Sequence, residues 1–124
     1  MLTKNKQAAR KIFEMQCQIC KAMAHPARLE IVELLSRREM SAAALLEELQ
    51  TSKANLSKHM SMLLQVGIVE AIRKGRQVSY RLTHPEIHEA CLIMRSILYQ
   101  RLKQGEKLAS TIHMPKGLAS RHDR

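Results

Sequence analysis

The chain has 124 residues, enough for one domain with a buried core, and 45% apolar content with charges of both signs excludes a disordered or fibrous chain. Lys and Arg number 21 against 11 Asp and Glu, a net charge of +10 that suits a polyanionic partner, either nucleic acid or an anionic membrane surface. No apolar run approaches the roughly 20 residues that span a bilayer, and MLTKNKQAARK lacks the apolar stretch of a signal peptide, so a cytoplasmic protein with no membrane partner is expected.

Residues 4 to 23 place Ile12, Phe13, Met15, Ile19 and Met23, with Cys17 and Cys20 between them, at the spacing of an amphipathic helix. His25-Pro26 ends it, because a residue before proline is pushed out of the helical region. Pro26 then opens a second helix, PARLEIVELLSRR, with Leu29, Ile31, Val32, Leu34 and Leu35 on a broad buried face. Ser41 caps a short third helix, SAAALLEELQ, and Thr51 or Ser52 caps a fourth, SKANLSKHMSMLLQ, which Gly67 terminates. After Gly67 the pattern changes to two extended runs, IVEAIR and QVSYRL, joined through Lys74-Gly75-Arg76 as a tight hairpin. From Pro85 to about Lys107 a last helix carries Ile87, Cys91, Met94, Leu98 and Leu102 on one stripe. Residues 108–124 have no periodicity and read as a basic, mobile tail. The expected fold is mainly α with a small β-hairpin wing: a winged helix-turn-helix domain over 1–107, followed by the tail.

The fourth helix carries the candidate chemistry. Leu56, Met60, Leu63 and Leu64 form its apolar back, while Ser52, Lys53, Asn55, Ser57 and Lys58 offer hydroxyl, amide and cationic groups for base edges and phosphates. His59 lies beside the apolar face, as a packing or a phosphate contact. On the hairpin, Arg73, Lys74 and Arg76 are placed to reach adjacent phosphates or a minor groove. A single lysine on a helix is usually just solvated. Helix pair, hairpin and excess charge together favour double-stranded DNA. Phe13, Tyr80 and Tyr99 are the only aromatic residues besides histidine, which argues against single strands, whose bases stack on aromatic platforms.

HPARLEIVELL, the segment TSKANLSKHMSMLLQVGIVEAIRKGRQVSYRL and the closing helix resemble the ArsR/SmtB family of bacterial winged-helix repressors over roughly residues 15 to 105. The resemblance implies a homodimer, joined through the first and last helices, that binds a palindromic operator and releases it when an inducer binds. Members of the family often bind metal on the last helix, with further ligands one or two turns on. Here THPEIHEA supplies His84, Glu86 and His88, but the later positions fall near Ile97 and Gln100, which do not ligate comparably. LLEELQTSKAN likewise lacks the cysteine cluster of other metal-responsive members.

Cys17, Cys20 and Cys91 remain as a candidate effector site. Three cysteines exclude a fully paired disulfide framework within one chain, so a reducing compartment is the simpler assumption. Cys17 and Cys20 share a helical face, and in the related fold that helix packs on the one bearing Cys91. Three soft sulfurs suit a thiophilic metal or metalloid ion, and two of them an oxidative or polysulfide bridge. The bland alternative makes Phe13, Cys17, Cys20 and Ala24 an apolar stripe of small buried side chains. Met15, Met23, Met60 and Met94 fit core positions, which argues against a copper-binding methionine box. An effector-independent or nucleoid-associated DNA protein is the second function class. An enzyme is not expected, since no nucleophile, base and oxyanion grouping is present.

Overall fold

The structure, a computed structural model, describes residues 5–105; the tail expected over 108–124 lies outside them. Within the described residues the chain forms two compact units that divide between Pro85 and Glu86. The first contains helices α1 (Lys6–Met23), α2 (Pro26–Leu35), α3 (Ala42–Glu48) and α4 (Lys53–Gln65), with strands β1 (Met40–Ser41), β2 (Val69–Lys74) and β3 (Gln77–Leu82). The second contains α5 (Glu86–Gln104).

Each helix of the first unit starts on a side chain that accepts from an otherwise orphaned backbone N–H. Asn5 Oδ1 accepts from Gln7 N at 3.0 Å, Ser41 Oγ from Ala44 N at 3.1 Å and Ser52 Oγ from Asn55 N at 3.1 Å. Before α2 the cap is a histidine: His25 Nδ1 accepts from Ala27 N at 3.1 Å, while Pro26 fills the first helical position. Helix α2 stops at Leu35, short of the expected Arg38, because Ser36 turns back onto it and its hydroxyl donates to Glu33 O at 2.6 Å.

The end of α4 fixes where the hairpin begins. Gly67 N donates to Leu64 O at 3.1 Å and Ile68 N to Leu63 O at 3.3 Å, the paired bonds of a Schellman motif. Gly67 has φ +78°, and the two residues bracketing the motif, Leu63 and Ile68, are both buried. Strands β2 and β3 pair antiparallel from Val69 and Leu82 out to Lys74 and Gln77. Gly75, at φ +64°, is the first of the two loop residues, and Arg76 has negative φ, the pattern of a type II′ turn. Unexpected from sequence, β1 adds a third strand on the other side of β3, pairing Met40 with Tyr80 and Ser41 with Ser79.

The core lies among α2, α3, α4 and the sheet. Ile31, Val32, Leu45, Leu63 and Val69 are fully buried, and Ala22 of α1, Leu35, Met40, Leu49, Leu56, Met60 and Ile68 are buried with them. Burial of each such side chain stabilises by about 1.5–3 kcal/mol. The buried face of α2 is narrower than expected, since Leu29 is exposed and Leu34 only half-buried; likewise Leu64 leaves the apolar back of α4.

At Gly67 an added Cβ would meet nothing within 4 Å, so the cost of Gly67→Ala is that of left-handed backbone alone. The substitution is expected to destabilise the domain by about 1–2 kcal/mol, read as a lower denaturant midpoint with unchanged slope.

Candidate nucleic-acid interface

Because Leu56, Met60 and Leu63 bury one side of α4, the 100° step per residue turns Ala54, Lys58 and Ser61 directly outward. Asn55 flanks that exposed face on one edge, and Lys53 and Ser57 flank it on the other. All of these side chains are exposed. The Ser52 cap holds the first turn in helical form, so the end of the helix nearest Lys53 and Asn55 is a rigid tip. Lys53, Ser57 and Ser61 also border a shallow cleft of about 370 Å³, floored by Met60 and closed by Tyr80 of β3.

Arg73, Lys74 and Arg76 surround the type II′ turn and are exposed. Lys74 Nζ approaches Glu39 Oε2 at 3.9 Å, a surface pair of little energetic weight. Lys53, Lys58, Arg73 and Arg76 make no ion pair with any described residue, which leaves their charge uncommitted. Arg81 and Glu70, directly opposite on β3 and β2, are paired with each other.

His59 is half-buried and packs toward α2. Its ring lies toward α2, with Nδ1 at 3.4 Å from Arg28 Nη1 and its centroid 4.5 Å from that of His25. Burial, then the fields of His25 and Arg28, hold its pKa below the ordinary 6.5. Tyr80 borders this surface, and Arg28 and His25 support it, in ways that no residue pattern marked individually, although the His-Pro-x-Arg turn did stand out as a motif.

None of Cys17, Cys20 and Cys91 is in a disulfide. Cys17 and Cys20 are exposed on α1, one turn apart, on a stripe with Phe13 that lies half a turn around the helix from buried Ala22. Cys91 belongs to the second unit and is half-buried. Among the described residues no group of three or more His, Cys, Asp or Glu side chains could hold a metal ion. His84 precedes α5, so it does not share a helix face with His88, which is buried. Two expected core methionines are mainly exposed, Met15 at 59% and Met94 at 68%, whereas Met60 is buried.

A capped polar helix on an apolar back, followed directly by a basic hairpin, defines a winged helix-turn-helix DNA-binding protein. The comparisons agree. A helix-turn-helix domain family model matches residues 23–72. An uncharacterised HTH-type transcriptional regulator of Mycobacterium tuberculosis is 33% identical over 88 residues, which cover 70% of this chain and 77% of that protein. The crystal structure of that regulator superposes with a TM-score of 0.68 at 32% identity, covering 75% of this chain and 94% of its own. The arsenical resistance operon repressor of Staphylococcus xylosus is 41% identical over 66 residues, 53% of this chain and 64% of that protein. A homodimeric winged helix-turn-helix domain of Mycobacterium bovis, described as a possible ArsR-family regulator, shares the fold at 23% identity with a TM-score of 0.69, over 81% of this chain and 91% of its own. This chain belongs to the ArsR/SmtB family of transcriptional regulators.

The depressed pKa of His59 has a defined sign. The unfolded chain binds a proton at this ring near pH 6.5 while the folded chain resists it, so stability is full above that pH and falls as pH drops below it. Melting temperature should therefore decline on acidification from about pH 7.5 to about pH 5.5, and His59→Asn should remove part of the decline.

Proposed function

We propose that the protein is a homodimeric bacterial repressor acting in the cytoplasm, which reads an operator with α4 in the major groove. The observation that carries this reading is the uncommitted cationic and amide surface of α4 beside the basic hairpin tip. Asn55 and Ser57 face base edges, Lys53 and Lys58 the flanking phosphates, and Arg73, Lys74 and Arg76 the neighbouring groove.

Dimerisation is supported by apolar side chains left in solvent on both terminal helices. Phe13 and Met15 on α1 are 60% and 59% exposed, and on α5 Ile93, Met94, Ile97 and Leu98 form a stripe that is about half exposed or more. Such patches mark interaction surfaces. A second copy of the chain is the partner that the family resemblance implies.

For Asn55→Ala and Lys58→Ala, affinity for a duplex selected by the protein from a randomised pool should fall about tenfold, with melting unchanged. Parent binding should weaken steeply between low and moderate salt, since released counterions drive phosphate contacts. A salt-independent affinity would contradict the model.

Derepression through thiols is the finer part of the reading. Cβ atoms one helical turn apart are about 5–6 Å from each other, whereas a disulfide needs about 3.5–4.5 Å. Cys17 and Cys20 therefore do not close a direct disulfide while α1 stays helical. A bound thiophilic ion or an inserted sulfur chain has the longer reach, with Cys91 or the second protomer's thiols as further partners. The company of Phe13 favours a second reading, in which dimer burial alone accounts for Cys17 and Cys20 and DNA binding needs no effector. DNA binding by Cys17→Ser, Cys20→Ser and Cys91→Ser, titrated with arsenite, cadmium, zinc, peroxide and polysulfide, separates the two. Loss of response in at least one variant is expected, and responses like the parent's in all three rule out the thiol switch.

A further inference from the structure

The His25-Pro26-Ala27-Arg28 turn has a role beyond opening α2. His25 uses Nδ1 to cap that helix, at 3.1 Å from Ala27 N. One turn on, Arg28 extends across to α4, where Nη1 lies 3.4 Å from His59 Nδ1. A guanidinium only donates, so His59 must present a lone pair at Nδ1 and carry its hydrogen on Nε2. Arg28 Nε is buried without a hydrogen-bond partner. A cation in that position, with an imidazole as its side-chain partner, costs stability rather than adding it. Violations of this kind concentrate where function requires them.

What the contact controls is the roll of α4. His59 sits at the middle of the helix, 100° around the axis from outward-facing Lys58 and one turn from Asn55. Base readout requires side chains held within about 0.5 Å and 10–20° of their productive positions. The buried Leu56, Met60 and Leu63 hold the helix on the domain, but apolar contacts are less directional than a hydrogen bond from a planar, half-buried guanidinium.

We propose that Arg28 is a positioning residue for DNA reading: from the first turn of α2 it holds His59, and so aligns the reading face of α4, only while the His59 ring is neutral. The proposal rests on α4 being the reading helix. A proton on His59 removes the Nδ1 lone pair and sets a second positive charge beside the guanidinium. The charged or titratable groups whose fields lower the pKa of the ring are His25 and Arg28, and both oppose its protonation. Protonation weakens DNA reading here, opposite in sign to the usual gain when histidines charge near phosphates.

The test uses the full chain, a labelled duplex selected from a randomised pool, and constant ionic strength. His59→Asn keeps an acceptor near the Nδ1 position and does not titrate. The ratio of the parent's Kd to that of His59→Asn is expected to rise about fivefold between about pH 8 and about pH 5.5. Arg28→Ala should weaken binding about tenfold at the higher pH, and less than additively when combined with His59→Ala, which removes the acceptor. A constant ratio overturns the proposal, as does a folded His59→Asn protein that binds at neither pH. If Arg28→Ala fails to fold, the pH ratio decides alone. Asn55→Ala in the same assay separates the layers: if it weakens binding while Arg28→Ala does not, the positioning role fails and the reading helix stands. If neither matters, the assignment of α4 fails.

Discussion

The burial of one side of α4 constrains everything else in the first unit. Leu56, Met60 and Leu63 must leave water together, and at 3.6 residues per turn that requirement leaves Lys58 and Ser61 no direction but outward. The same helix must also stop sharply enough for β2 to begin in the core. Gly67 makes that possible, because its left-handed backbone lets Ile68 fold back to Leu63 while Val69 enters the sheet buried. Reading helix and hairpin are thus set relative to each other by one glycine and two buried side chains. Thr83 secures the return, donating from its backbone N–H to Ile68 O at 3.0 Å and from Oγ1 to Gly67 O at 2.7 Å.

Charge is then distributed by what that scaffold leaves outside. The ion pairs of the sheet are local, Arg81 with Glu70 across the strands and Lys74 with Glu39 beneath the hairpin tip. Neither neutralises the basic surface, because each is exposed and weak in water. Lys53, Lys58, Arg73 and Arg76 keep their full charge for a polyanion. A surface built this way suits a polyanion, whose binding gains affinity from released counterions.

How much of this was legible in the sequence follows from the range of each interaction. The four helices and the hairpin of the first unit are visible because their signals are local: a hydroxyl cap, a proline at the first position, a glycine at the end, a period of 3.6 or 2. Strand β1 is not visible, since two residues carry no period and Met40–Ser41 exists only by pairing with β3. The exposure of Met15 and Met94 is equally hidden, because an apolar residue at helical spacing has the same pattern whether its own chain or another copy covers it. Among the site residues, Ser52 to Lys58 and the hairpin cations follow from position on their elements. The orientation of His59 does not, as its partner lies 31 residues away at Arg28.

That long-range contact bears on how a domain of this size keeps a helix in register. Helix α4 is fastened at its start by the Ser52 cap, at its end by the Gly67 motif and along its length by three apolar side chains. The end fastenings fix position along the axis, and the apolar contacts fix distance from the core. The apolar face also sets the coarse roll of the helix, and the adaptable Met60 leaves it a small residual rotation. A directional bond at mid-helix supplies the missing restraint, and in the first unit the Arg28–His59 pair is placed to make it. Its dependence on a neutral imidazole then follows from the donor-only chemistry of arginine, so a protonation state of the fold becomes a property of the DNA-reading surface.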